Sequence, residues 1–283
     1  MEEYILKEEN GVKTTVRDVQ LVLLDMAKDI DEICKRNNIP YFLNGGSALG
    51  AVRHKGFIPW DDDYDIGMMY EDYIRFIKVL KKELPSDKYT FHCFHTHKKY
   101  NVTIPAMKIR RKGTYIKEVN TLLANRIKEG DGSDGIFIDV FVYDYCSKNK
   151  FIDLPFRILN TLIMPFIVLI DNLHINPLYL KHWYYSNARM YGRLNRKSKY
   201  IGFDLTWTFN SPFKPFIFKY DDVYPTRYVK FEDTELPIAN HPHEFLCVGI
   251  APSYMTLPPV EKRFAKHTVD IDLGELNGKS NQK

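Results

Sequence analysis

Residues 59–67 read PWDDDYDIG, and the interpretation of the whole chain depends on this stretch. Four aspartates, Asp61, Asp62, Asp63 and Asp65, fall within five positions, beside a tryptophan and directly before an apolar stretch. Mutual repulsion makes such a cluster costly unless a cation lies beside it. The stretch is therefore either a solvated acidic turn or a site for divalent metal ions.

Two of these aspartates are placed to act together with a third carboxylate. Asp63 and Asp65 are two residues apart, so an extended backbone would point both side chains to one face. Asp139 lies inside the apolar run GIFIDVFVY, residues 135–143, where burying an unpaired carboxylate would be expensive. Convergent carboxylates suit Mg²⁺ or Mn²⁺ and metal-dependent phosphoryl transfer. We predict that Asp63, Asp65 and Asp139 are metal ligands and catalytic residues, and that Asp139 could also act as general base.

A glycine turn lies before the aspartates in the sequence, and one predicted short helix separates them. Gly45, Gly46 and Ser47 come directly before a predicted helix at 48–53. Glycine lets the backbone approach a phosphate closely, and the N–H groups at a helix start favour an anion. We predict a phosphate-binding turn; the alternative is an ordinary turn, with the aspartates capping loops.

Basic side chains near these motifs are candidate phosphate ligands. Arg53 follows the short helix and could meet a diphosphate, although a solvated basic helix end is equally consistent. Lys108 and Arg110 alternate with apolar residues, so they would share one strand face and could clamp a phosphate. The alternative for this pair is an exposed strand face.

Trp60 and Tyr64 flank the aspartates. They are candidates for an aromatic cage around a quaternary ammonium group of a ligand, with core packing as the alternative. The histidines between His92 and His97 lack a second cluster with ligand spacing. We expect them to be surface residues and not a transition-metal site.

Composition limits the class of protein. The 283 residues are 45% hydrophobic and 27% charged, with a formal net charge of +4, which is typical of a globular protein and suits an anionic substrate. Since no long Lys/Arg run occurs, we expect no nucleic-acid partner. Four scattered cysteines fit a reducing compartment. The acidic N-terminal stretch lacks an apolar core, so we expect no signal peptide and a cytoplasmic site, at the inner face of the membrane if the chain binds there.

Periodicity along the chain predicts an α+β fold. We predict a catalytic core at 1–150, a helical and irregular part at 151–275 that packs on the core on the acceptor side, and a disordered tail at 276–283. The run from Ile158 to Ile170 is too short to span a bilayer. We favour a buried helix there, with an interfacial helix that makes peripheral membrane contact as the alternative.

The run YFLNGGSALGAVRHKGFIPWDDDYDIGMMYEDY, residues 41–73, resembles the signature of the LicD family, which is related to the fukutin and fukutin-related proteins. The resemblance continues at 108–115 and 135–144, and more loosely at 231–238 and 254–263. It implies a nucleotidyltransferase-like mixed β-sheet flanked by helices, with a helical appendage here. It assigns Gly45, Gly46 and Ser47 to the nucleotide-phosphate turn, and Asp63, Asp65 and Asp139 to the metal.

The resemblance also implies an activity. Bacterial relatives are implicated in transferring phosphocholine or a polyol phosphate from a CDP-activated donor, with release of CMP. CDP-choline is the donor that we expect, and the acceptor would be a glycan or lipid-linked glycan of teichoic acid, capsule or lipopolysaccharide. The stretch CVGIAPSYMTLPP, residues 247–259, departs from the family pattern, so the acceptor could differ. The alternatives are a nucleotidyltransferase of the same fold and a non-catalytic nucleotide-binding scaffold.

Overall fold

The computed structural model describes residues 4–9, 11–102, 104–119, 132–208 and 211–276. Of the predicted tail at 276–283, all but the first residue lie outside the described residues. The predicted α+β fold is confirmed. The helices are α1 to α7, at Val16–Arg36, Gly45–His54, Tyr70–Glu83, Lys150–Asn172, Leu178–Leu194, Tyr220–Val223 and Pro242–Gly249. The strands are β1 to β13, at Ile5–Glu9, Val12–Thr15, Phe42–Leu43, Asp65–Met69, Tyr89–Cys93, Met107–Arg111, Tyr115–Glu118, Phe137–Tyr145, Tyr200–Phe203, Ile217–Lys219, Arg227–Phe231, Thr234–Ile238 and Thr268–Asp272.

A mixed seven-stranded sheet forms the centre of the molecule. Its strands lie in the order β10-β9-β8-β4-β3, and β6 pairs with both β8 and β5. β4 and β8 are parallel, whereas the other pairs in this sheet are antiparallel. β8 is a long strand whose residues are mostly apolar and β-prone. Such a strand suits a central position that is covered on both faces.

Helix α1 shows how the local sequence sets an element. Thr15 caps it, and the Asp18 carboxylate accepts a hydrogen bond from Thr15 N in a capping box. Its buried residues recur at helical spacing and join the largest core cluster. The capping residues and this spacing thus set the start of α1 and the face that it buries.

The C-terminal half contributes directly to the central sheet. β9 and β10 lie beyond residue 150 and extend the sheet from β8. The predicted helical and irregular part at 151–275 also contains β11, β12 and β13. The sheet thus runs across the predicted boundary at residue 150, because pairing partners distant in sequence complete it.

Helices α4 and α5 pack on each other as a hairpin, and α4 differs from the buried helix that the sequence favoured. It turns four polar side chains inward beside Ile163 and Ile167, while five of its apolar side chains are exposed and most of the others are half-buried. α4 is long and apolar enough to cross a membrane by length and composition alone, and 22% of its most apolar window is buried. The prediction of a buried helix is therefore wrong for the exposed face, because total apolarity does not say which side of a helix is buried.

Candidate functional site

The glycine motif forms the first turn of α2 and not a turn before it. α2 begins at Gly45, which has a φ of +50°, after the N-cap residue Asn44. A Cβ atom on Gly45 would lie 3.1 Å from Asp65 Oδ2, and one on Gly46 would lie 2.5 Å from Asp61 Oδ2. The two glycines therefore allow the N-terminus of α2 to lie directly against the aspartate cluster.

The aspartates alternate between a partly open face and the interior. Asp61, Asp63 and Asp65 are half-buried, whereas Asp62 and Tyr64 between them are buried. β4 starts at Asp65, which lies opposite Asp139 in the parallel pairing with β8. The predicted trio is thus brought to one end of two adjacent strands, and Asp61 joins it.

The carboxylates of this cluster have raised pKa values. Burial raises the pKa of Asp65 well above its ordinary value, and the charges of Asp63, Asp139 and Asp61 add to the shift. Burial and the neighbouring Asp63 do the same for Asp61. The pKa of Asp139 rises to about 6 because of burial, against the opposing pull of Lys108. The ionised forms of these carboxyl groups are therefore unfavourable beside one another, as expected of a site that binds a cation.

Lys108 and Arg110 share a strand face as predicted, but both are buried. Lys108 Nζ lies 3.0 Å from Asp139 Oδ1 and 3.0 Å from Glu118 Oε1. Arg110 donates to the Gly135 carbonyl at 2.8 Å and to Glu118 at 3.3 Å. The predicted phosphate clamp is therefore not formed as such: Arg110 holds the interior of the sheet, and Lys108 reaches the site through Asp139.

A C-terminal segment also contacts the site, although no sequence motif indicates this contact. The Asp62 carboxylate accepts hydrogen bonds from the backbone N–H groups of Lys266, His267 and Thr268 at 2.8–3.3 Å. The segment held in this way places His267 Nε2 3.1 Å from Asp63 Oδ2. More than 200 residues separate the partners, so no local pattern could have revealed the contact.

Two other predicted phosphate ligands have structural partners. Ser47 is buried, and its Oγ accepts a hydrogen bond from Asp65 N at 2.9 Å, so the hydroxyl fixes the start of β4. Arg53 is half-buried and donates to the Tyr254 carbonyl at 2.8 Å. Its charge lowers the pKa of Asp61 against the larger effect of burial, so Arg53 stays beside the cluster.

Trp60 and Tyr64 do not form the predicted aromatic cage. Trp60 packs edge-on against Tyr4 and His54, and Tyr64 lies in the core against Phe57 and Phe231. Their alternation with the aspartates turns both rings away from the open face. Both rings therefore pack in the core, which was the alternative to the predicted cage.

A different aromatic pocket adjoins the cluster. A cavity of about 220 Å³ is bordered by Asn44, Gly45 and Asp65 on one side. Seven aromatic residues form most of its remaining described wall: Phe141, Tyr143, Phe203, Trp207, Phe216, Phe218 and Phe245. They come from β8, β9, β10, α7 and a connecting loop, so only the folded sheet assembles them.

The chemistry of the donor atoms fits an oxygen-preferring divalent cation. Asp63, Asp65 and Asp139 supply carboxylates, and Asp139 Oδ1 accepts no hydrogen bond from the described part of the chain although it lies beside Lys108. No three His, Cys, Asp or Glu side chains in the described ranges already form a metal-binding group. The expectation that the histidines at 92–97 are surface residues is wrong for His92, which is buried.

Comparisons with known proteins agree with this arrangement. Residues 38–126 match the family described as LicD/FKTN/FKRP, nucleotidyltransferase domain. The chain is 36% identical over 134 residues to the lipopolysaccharide cholinephosphotransferase LicD of Haemophilus influenzae. The aligned residues make up 47% of this chain and 45% of that protein. It is 42% identical over 50 residues to the human ribitol 5-phosphate transferase FKRP, which covers 18% of this chain and 10% of that protein.

The chain thus spans less than half the length of these curated relatives. The match at 38–126 includes α2, β4 and the aspartate cluster, whereas Asp139, His267 and most of the aromatic pocket lie outside it. The resemblance to the LicD family that the sequence predicts is therefore confirmed over residues 38–126, which match the LicD/FKTN/FKRP nucleotidyltransferase domain.

Proposed function

We propose that this protein is a metal-dependent phosphotransferase that moves phosphocholine from CDP-choline to a glycan or lipid-linked glycan. The observation that carries the proposal is that the N-terminus of α2 lies against Asp61 and Asp65. The carboxyl pKa values of these two residues, and of Asp63 and Asp139 beside them, are raised. Relatives named as a cholinephosphotransferase and a ribitol 5-phosphate transferase support transfer of a phosphoalcohol. Mg²⁺ or Mn²⁺, held by Asp63, Asp65 and Asp139, would neutralise phosphate charge and align the reacting oxygens.

The residues of the chain would divide the work. The backbone N–H groups at the start of α2 bind phosphate oxygens, and Arg53 adds positive charge beside them. An acceptor hydroxyl attacks the phosphorus distal to cytidine, a new P–O bond forms, and the P–O bond to CMP breaks. A carboxylate, for which Asp139 is our candidate, takes the proton of the hydroxyl.

The aromatic pocket favours phosphocholine over a polyol phosphate. A trimethylammonium group carries positive charge but no hydrogen-bond donor, so aromatic faces suit it. A polyol would bring several hydroxyls into a wall that is mostly rings and would lose their hydrogen bonds to water. We therefore assign the choline end of the donor to this pocket.

The reaction would take place on the cytoplasmic side of the membrane, where nucleotide-activated donors are made. Teichoic acid, capsule and lipopolysaccharide precursors are the acceptor classes that we consider. A nucleotidyltransferase of the same fold remains the second candidate, because the shared domain family is that of nucleotidyltransferases. It would release pyrophosphate and attach the nucleotide, whereas the proposed reaction releases CMP.

The first experiment measures thermal stabilisation by CDP-choline, CDP-glycerol, CDP-ribitol, CMP and ATP, each with Mg²⁺ and with EDTA. A ligand at 100 times its Kd should stabilise the folded state by about 2.7 kcal/mol. We expect a metal-dependent shift that is largest with CDP-choline and absent in Asp63→Asn/Asp65→Asn. A shift with ATP alone would favour the nucleotidyltransferase, and no shift with any ligand would favour a scaffold.

Two tryptophan variants separate the aromatic pocket from the predicted cage. Trp207→Leu should weaken CDP-choline binding roughly tenfold but leave CMP binding nearly unchanged, since Trp207 lines the pocket. Trp60→Leu is the matched control, because Trp60 packs outside the pocket. If Trp60→Leu lost CDP-choline selectively and Trp207→Leu did not, the assignment of the choline end would be wrong.

A further inference from the structure

Helix α4 buries more polar than apolar side chains, unlike a typical helix on the surface of a soluble domain. Its buried positions are Asp153, Arg157, Asn160 and Asp171, together with Ile163 and Ile167. Its exposed face, which we call the apolar face, consists of Phe151, Leu162, Phe166, Leu169 and Leu173, each between 59% and 92% exposed. The last four follow the i, i+4, i+7, i+11 spacing of one helical stripe. A contiguous apolar stripe on a protein surface marks an interaction site.

The buried polar residues bind the hairpin together. Arg157 pairs with Asp153 within α4, and Lys181 of α5 lies 2.9 Å from Asp171. Asn187 of α5 donates to Asn160 Oδ1 at 2.8 Å. Helices that pack through polar contacts and present apolar side chains outward are typical of an apolar surrounding medium. The polar side chains inside the hairpin are therefore paired with one another, and Ile163 and Ile167 add apolar contacts beside them.

Charge around the hairpin fits an anionic membrane surface. Residues 148–199 contain nine Lys or Arg and two Asp, and both aspartates are buried in ion pairs, whereas the rest of the chain has more acidic than basic residues. Exposed cations lie at the base of the hairpin: Lys148, Lys150, Arg193, Arg196, Lys197 and Lys199. At its tip, Asn176 donates to the carbonyl of Lys98, which places exposed Lys98 and Lys99 there.

We propose that the α4–α5 hairpin docks on an anionic lipid bilayer, with α4 lying in the plane of the interface and its apolar face among the acyl chains. Apolar residues on one face and cations at both ends are the features of an interfacial helix. A spanning helix is disfavoured by topology, because β9 returns beside β8 and α5 would have to cross as well. α5 carries Lys181, Arg189 and Arg193, which are expensive inside a bilayer. The proposal does not depend on which group the enzyme transfers.

The test is flotation of the full chain with vesicles of phosphatidylcholine and phosphatidylglycerol, compared with phosphatidylcholine alone. We expect co-flotation with the anionic vesicles, at least tenfold loss in Leu162→Ser/Phe166→Ser/Leu169→Ser, and release by alkaline carbonate. The matched control is Val12→Ser/Val119→Ser/Val269→Ser, which removes three exposed apolar side chains elsewhere. Circular dichroism should show both variants folded, since all six side chains are exposed.

Several results would overturn the proposal. Equal flotation of the apolar-face variant and the unmodified chain would exclude this face, and resistance to carbonate would indicate a spanning helix. The competing occupant is a second copy of the chain. If sedimentation in lipid-free buffer gave a dimer that the same variant dissociated, and the unmodified chain did not float, the apolar face would be a dimer interface.

Discussion

Gly46 shows how one absent side chain shapes the candidate site. A Cβ atom there would meet the Asp61 carboxylate, whereas a Cβ on Gly50 would lie 2.5 Å from the Gly56 carbonyl oxygen. The first neighbour is the end of a side chain that can move, and the second is backbone that cannot. Gly46 therefore leaves room for a side chain of the site, whereas Gly50 lets the backbone of α2 pack against the backbone of Gly56.

We predict that Gly46→Ala keeps the fold but displaces Asp61, and that it lowers metal-dependent donor binding roughly tenfold. Gly50→Ala should instead lower the melting temperature, because the backbone must shift. Thermal melts with and without CDP-choline measure both effects. The interpretation fails if Gly46→Ala unfolds as readily as Gly50→Ala.

The crowding of Asp65 predicts a conflict between stability and function. Because burial and neighbouring charges raise its pKa well above its ordinary value, the ionised carboxylate is unfavourable in the metal-free protein. Asp65→Asn should therefore raise the melting temperature in EDTA while it abolishes turnover. The control is Asp25→Asn on α1, at a residue away from the cluster, which should change neither. A lower melting temperature for Asp65→Asn in EDTA would contradict this account.

At the scale of the element, β5 carries a histidine that links stability to pH. His92 is buried beside His97 and pairs across the ladder with Lys108. Burial, with the charges of His97 and Arg110, lowers the pKa of His92 to about 4. The folded protein therefore holds this imidazole neutral at a pH at which the unfolded chain protonates it.

The sign follows from linkage. The pKa of His92 in the folded protein lies below its value of about 6.5 in the unfolded chain, so the unfolded chain binds a proton at a higher pH. The free energy of unfolding is therefore unaffected by His92 above pH 6.5 and decreases as the pH falls towards 4. The loss should approach about 3 kcal/mol. Urea unfolding at pH 7 and pH 4.5 measures it, and His92→Gln should reduce the pH dependence. An unchanged pH dependence in that variant would show that other groups cause it.

At the scale of the whole molecule, Asp62 joins the aspartate cluster to a segment more than 200 residues further along the chain. It differs from its three acidic neighbours because it is buried and accepts hydrogen bonds from three consecutive backbone N–H groups of that segment. Through these bonds, the segment before β13 reaches the cluster and brings His267 to Asp63. The site is thus a property of the complete fold.

We predict that Asp62→Ala lowers the free energy of unfolding by about 2–3 kcal/mol, because three backbone donors lose a charged acceptor. It should also weaken donor binding, since His267 is released. His267→Ala is the comparison: it should weaken binding with little loss of stability, as its ring is about half exposed. If His267→Ala had no effect on binding, the segment would serve stability alone.

The sequence by itself determined the local features of this protein. The capping box at Thr15, the helical spacing of α1 and the alternation of Asp63 and Asp65 each depend on neighbours within a few residues, and the structure has all three. The rare combination of glycine turn and aspartates carried the family resemblance as well, because it lies within one continuous stretch.

Only the tertiary structure decided which partners these residues meet. Arg110 faces Glu118 and not solvent, Trp60 and Tyr64 pack inward, and seven rings from distant elements line a pocket that no segment encodes. The exposed apolar face of α4 was likewise hidden, because total apolarity does not say which side of a helix is buried. Local pattern fixes backbone conformation, whereas burial and charge pairing depend on contacts between residues far apart in the chain.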